Sequence, residues 1–162
     1  MIEHTRRSAL KLAGLAAGVT LGGVGVTSAN GGASDTAPGR TASVRFTNQT
    51  VSGEIDTVDI AAAFLPEGGY VILHDVADNE VGIGKPVGAT GYLHPGMNRN
   101  VTADVTGSQY GGNLPNPETT QSLVAMAHMD EPGDRELTFP NGDPPYTQAG
   151  APVIDIGVVA VK

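Results

Sequence analysis

From Ala42 onward the apolar residues of this chain recur at every second position, in short runs cut apart by glycine and proline. A period of two places successive side chains on opposite faces of an extended strand, and no stretch after residue 42 holds a helical period for helix length. "SVRFTNQ" puts Val44 and Phe46 on one face, with Arg45 and Thr47 on the other. "TVDIAAAF" does the same with Val58, Ile60, Ala62 and Phe64, and "NVTADV" with Val101, Ala103 and Val105. "GYVILHD", Gly69 to Asp75, is a continuous apolar run too short for a helix, which predicts a central strand. "SLVAMAH", with Val124 and Met126 expected to point inward, and "VIDIGVVAV" complete the set. Turn residues separate the runs at Pro66–Gly69, Asp78–Asn79, Pro95–Gly96, Asn141–Gly142 and Pro144–Pro145. The spacing predicts an all-β domain over 42–162: an immunoglobulin-like Greek-key β-sandwich of about seven strands, with a small barrel as the competing closure. Aromatic residues make up only 4% of the chain, so the expected core is aliphatic, and there is no tryptophan to serve as a stacking platform for bases or sugars.

The front of the chain follows different rules. Arg6 and Arg7 precede an uncharged stretch rich in Ala and Gly from Leu12 to Val26, and Thr27-Ser28-Ala29 ends it with small residues. Residues 1–29 therefore read as a twin-arginine-type export signal, a helix that is then cleaved or processed, which implies an exported protein, extracellular or at the cell surface. A retained transmembrane anchor is the competing reading; the stretch is short and its glycines make a poor bilayer helix. Residues 30–41, "NGGASDTAPGRT", read as a flexible linker.

Net charge is −8 for the whole chain, and because Glu3 stands against Arg6, Arg7 and Lys11, residues 30–162 carry −10. Such a surface repels phosphates and anionic membranes, which argues against nucleic acid and an anionic membrane face as partners, and no membrane span is expected in the mature form. Acidity with only three lysines, at 11, 85 and 162, points to salt adaptation, since self-repulsion that destabilises a fold in dilute buffer is screened in brine. The absence of cysteine excludes disulfides, thiolate catalysis, cysteine-ligated zinc and a lipoprotein anchor.

Two groups of candidate ligands stand out. Asp130, Glu131, Asp134, Glu136 and Asp143, just after His128, offer hard oxygen donors of the kind calcium takes, or simply a solvated acidic loop. His74, His94 and His128, with Met97, Met126 and Met129, offer donors for a soft metal, or strand-end histidines beside core methionines. Catalysis finds little support. His74 and Asp75 are neighbours on a strand and point to opposite faces, so they cannot form a base and its orienting acid, and no G-x-S-x-G occurs. Asn48 and Asn100 lie in N-x-T sequons; alternation places Asn100 outward, which makes it the better glycosylation candidate.

Four marks occur in order: Leu-Pro-x-Gly-Gly at 65–69, His74-Asp75, A-M-x-H-x-D at 125–130, and Pro-Tyr-Thr at 145–147. Together they resemble an uncharacterised domain of secreted and surface proteins of halophilic archaea, over nearly all of 42–162. The resemblance implies an exported β-sandwich, alone or beside other surface modules, with no activity to carry over. Some relatives of this type carry a calcium-like D-x-N-x-[ND] after the histidine; here Pro132 takes the middle position and supplies no side-chain oxygen. The expectation is an acidic, salt-adapted surface module with a structural or interaction role, no catalytic activity and no cofactor, acting on a surface or secreted protein partner. Its contact regions would be the loops 108–121 and 129–148 or its edge strands. The alternative is an extracellular metal-binding module.

Overall fold

The computed structural model describes residues 41–76, 82–107 and 114–162. The export signal, its helix and nearly all of the linker, including Arg6 and Arg7, lie outside the described residues, as does the Asp78–Asn79 turn. Among the described residues no helix is long and apolar enough to cross a membrane.

The domain is all-β. Its strands are β1 (Ser43–Arg45), β2 (Gln49–Val51), β3 (Thr57–Leu65), β4 (Tyr70–Val76), β5 (Ile83–Thr90), β6 (Gly96–Asp104), β7 (Gln121–His128), β8 (Thr147–Gln148), β9 (Ala151–Pro152) and β10 (Ile154–Val161). Eight of them form one sheet in the order β1-β3-β6-β5-β4-β7-β10-β2, and β8 pairs with β9 in a separate ribbon. Every pairing is antiparallel except that of β10 with β2.

The sheet has to roll up, and the chain between β1 and β2 shows why. Those strands are the two edges of the sheet, yet only residues 46–48 join them, a reach of roughly 14 Å. The edges are therefore drawn together. One layer is β1-β3-β6; the other is β5-β4-β7-β10-β2. β5 links them, pairing with β4 along most of its length and with β6 through Ala89 and Thr90. The edge link is pinned to β10: the Phe46 N–H donates to the Asp155 carboxylate at 2.9 Å, and the Val158 N–H donates to Asn48 Oδ1 at 2.9 Å. Gly157 leaves room for the Phe46 ring, whose nearest carbon would stand 2.9 Å from a Cβ there. The result is the sandwich expected from the alternation, with eight strands in the main sheet rather than about seven: the first run divides into β1 and β2, and β5 has no counterpart among the runs read from the sequence.

The core between the layers is aliphatic, as the composition predicts. Val58, Ile60, Ala63 and Leu65 of β3 meet Val71 and Leu73 of β4 and Leu123, Ala125 and Ala127 of β7. Two expectations of facing are corrected here. Ala63 and Leu65, not Ala62 and Phe64, join Val58 and Ile60 in this core. The alternation changes face where β3 pairing with β6 skips Ala61 and Asn100, and Asn100 has φ 50, which breaks the regular pleat. On β7, Val124 and Met126 are buried but lie on the face away from this core, because Leu123, Ala125 and Ala127 already fill it.

Candidate functional site

The outer face of a sandwich sheet ordinarily meets water. Here the outer face of β4 and β7 is buried. The register sets Tyr70 opposite His128, Ile72 opposite Met126 and His74 opposite Val124, and all six are buried on this face. Their cover is the chain that leaves β7. Leu137 and Phe139 from it, with Tyr92 from the turn before β6, pack against Tyr70, Ile72 and Ala89.

The acidic residues of that segment hold it in place. Asp143 is buried, and its carboxylate accepts hydrogen bonds from the Glu131 N–H at 3.0 Å and the Thr138 N–H at 2.6 Å. The Gly142 N–H closes onto the Thr138 carbonyl at 2.8 Å. Asp130 accepts from the Arg135 N–H at 3.1 Å, and Asp134 from the Glu136 N–H at 2.9 Å. The segment returns to β7 through Met129 N–H to the Pro144 carbonyl and Tyr146 N–H to the Ala127 carbonyl, each at 2.9 Å. A carboxylate that satisfies backbone donors in a turn is the usual reason for Asp in such a loop. Glu131 and Glu136 are exposed. Among the described residues no three His, Cys, Asp or Glu side chains are placed to hold one metal ion.

Under this cover two histidines meet. The rings of His74 and His128 lie 6.2 Å apart with planes 18° from parallel, and the Phe139 ring stands edge-on to both, at 5.9 and 5.4 Å. Only 4% of His74 and 1% of His128 is exposed. His74 Nδ1 lies 3.1 Å from the Gly84 carbonyl and His128 Nδ1 lies 2.7 Å from the Asp143 carbonyl. A carbonyl oxygen only accepts, so both Nδ1 atoms carry the proton and both Nε2 atoms present a lone pair. Neither Nε2 has a hydrogen-bond partner. A bulge in β5 helps to place the first of these carbonyls: His74 faces Pro86 while Leu73 faces Gly88, and the register shifts between them.

Burial keeps both rings neutral. It holds the His74 pKa below the ordinary value, against the opposing effects of the Gly84 carbonyl and Asp75. It brings His128 down to about 4; the Asp143 carbonyl opposes this, while His74 adds to it. The Tyr70 phenol is pushed up to about 12, first by burial and then by Asp130, Asp143 and Asp134, and its hydroxyl also has no partner.

The four sequence marks converge here. At Gly69, φ is 128 and a Cβ would run into the His128 carbonyl, so the second glycine of the Leu-Pro-x-Gly-Gly turn is what lets β4 pass the end of β7. The Tyr146 hydroxyl donates to the Gly68 carbonyl at 2.7 Å and accepts from the Glu67 N–H at 3.2 Å, clamping the Pro-Tyr-Thr segment to that same turn.

Other expected residues lie apart from this cluster. His74 is no strand-end residue: it sits within β4, in contact with His128. His94 is exposed, edge-on to Tyr92 at 5.4 Å. Arg135 stands over Tyr92 at 5.1 Å. Met97 is half-buried in β6, and Met129 is half-buried against the inter-layer core. Asn100 is exposed; Asn48 is exposed too, but its amide oxygen is engaged by β10. An open groove of about 470 Å³ runs beside β1 and β9, lined by Val44, Gln148, Pro152 and Ile154 among others, with no titratable side chain.

Sequence reasoning missed the pairing of His74 with His128 and the clamp made by Tyr146. A signal for the first was present. "YVIL" and "LVAMA" are apolar at both parities, which marks strands buried on both faces, so a histidine at either parity is buried as well.

A family model described as a domain of unknown function, DUF7282, matches residues 42–160. Among curated proteins, the chain is similar to Cell surface glycoprotein 2 of Haloarcula hispanica, with 34% identity over 122 residues. That match covers 75% of this chain and 12% of the relative's length. No solved structure matches the chain.

Proposed function

We propose, from the premise that this chain belongs to the family of the domain of unknown function DUF7282, that it is an exported surface module with a structural or interaction role. The observation that carries the reading is the relation to a surface glycoprotein. Three quarters of the chain, 75%, corresponds to 12% of a relative whose name places it at the cell surface, as one module among others would. Three features support the finer points. The domain's charge of −10 beyond residue 29 and its scarcity of lysine suit a salt-rich exterior. The 129–146 segment spends its aspartates on its own backbone, so the acidic loop acts as a brace for the sheet rather than as a calcium loop. The groove beside β1 has no acid or base with which to catalyse, while the edge strands β1 and β2 offer backbone groups to a surface or secreted protein partner. Asn100, exposed and not used in packing, is the residue where a glycan fits this role.

The test is localisation. A C-terminally tagged full-length chain, expressed in a halophilic archaeal host, should appear in the surface or culture fraction and be cut by added protease on intact cells. Replacing Arg6 and Arg7 together by Lys should retain it inside. Tagged wild-type protein that stays cytoplasmic and protected would overturn the reading.

A further inference from the structure

We infer that His74 and His128 form a buried two-nitrogen site for a soft univalent cation, of the closed-shell class of copper(I) and silver(I), sealed by the 129–146 segment. The inference goes beyond the surface role and does not depend on it.

Two buried lone pairs on one enclosed face need a partner, because an unsatisfied buried acceptor is costly and uncommon. His74 Nε2 and His128 Nε2 are such a pair. Each ring is held by an Nδ1–H bond to a backbone carbonyl, the arrangement that orients metal-bound histidines and fixes Nε2 as the ligand. The ring centres lie 6.2 Å apart, within reach of one ion bound by both, and because the rings stack near-parallel, binding has to turn them until both Nε2 atoms face it.

The surroundings select the kind of ion. No third His, Cys, Asp or Glu joins the pair among the described residues, which fits low coordination and disfavours zinc or calcium. The Asp143 carboxylate is turned to the Glu131 and Thr138 backbone and only its carbonyl faces His128, so a divalent charge would lie poorly compensated in a dry site. Met126 lies on the same face, one alternation along β7 from His128, and its register partner Ile72 stands one alternation along β4 from His74. The Met126 thioether on this face would make a soft donor set with the two imidazoles, and soft donors select copper(I) over the harder divalent ions. Phe139, edge-on to both rings, closes the enclosure.

The test uses the full chain at pH 7.5 in chloride-free nitrate brine, titrated with silver(I) alone, then copper(I) alone under reducing, anaerobic conditions, then zinc(II). Binding is followed by calorimetry and by histidine nitrogen NMR. The expected result is one univalent ion per chain, with the Nε2 signals of His74 and His128 shifted and their Nδ1–H protons kept. The stoichiometry should survive in His94→Gln and be lost in His74→Gln and His128→Gln. Because the spectrum of the wild-type protein alone identifies the nitrogens, the outcome stands even if those last two variants fold poorly. No binding to the wild type would show that a buried water, or nothing, joins the two nitrogens. That result, an ion held only at His94, or zinc(II) preferred at the same nitrogens, would overturn the inference.

Discussion

The buried histidines make the fold acid-sensitive over a defined range, and His128 sets the size of the effect. In the unfolded chain a histidine takes up its proton near pH 6.5; in the folded domain His128 does so only near 4. Between those values the unfolded state binds the proton and the folded state does not, so stability falls as pH falls. The contribution is present in full above about pH 6.5, is lost progressively toward 4 and changes no further below it. At 1.36 kcal/mol per unit, a displacement of this size corresponds to about 3 kcal/mol. His74 is shifted in the same direction and adds to the loss. For a domain of this length 3 kcal/mol is roughly 10 °C in Tm. The assay is chemical unfolding at constant ionic strength from pH 8 to pH 4, on wild type and His128→Gln. Carboxylates titrate in both proteins, so the difference in slope isolates His128. The wild type should lose about 3 kcal/mol more than the variant across this range. Parallel curves would refute the reasoning, as would a His128 ring proton that titrates near 6.5 in the folded protein.

Tyr146→Phe removes one hydroxyl that serves the Gly68 carbonyl and the Glu67 N–H, and should cost about 1–3 kcal/mol in unfolding, with the strand spectrum unchanged. Gly69→Ala drives a Cβ into the His128 carbonyl at a φ that disfavours side chains; a loss of roughly 3 kcal/mol or more is expected, read as a fall in midpoint or as failure to fold. Asp143→Ala leaves the Glu131 and Thr138 N–H groups without their acceptor, so limited proteolysis should cut within 129–146 well before wild type is cut there. Calcium added at fixed ionic strength should leave the Tm unchanged, because Asp130, Asp134 and Asp143 are engaged with backbone donors; a saturable rise would show a calcium loop after all.

What the sequence by itself determined is local. A period of two, apolar residues in runs too short for helices, and glycine and proline between them specify strands and turns wherever they occur, so the all-β class and the central place of Tyr70–Val76 were legible from residue order alone. The four family marks could also be read there, though not that they touch. Contacts between Gly69 and His128, Tyr146 and Gly68, or His74 and His128 join positions tens of residues apart, and nothing in the spacing of one run records the register of another. Facing failed for a related reason. Alternation gives two faces but does not say which one is the core, and when Leu137 and Phe139 fold back over β4 and β7 both become interior. Acidic residues are ambiguous in the same way, since a carboxylate in sequence looks alike whether it faces water, an ion or its own backbone. Only the closed chain decided that Asp143 would be buried as a brace, and that two histidines from different strands would share one dry enclosure, because the partners that satisfy a buried polar group are supplied by tertiary packing.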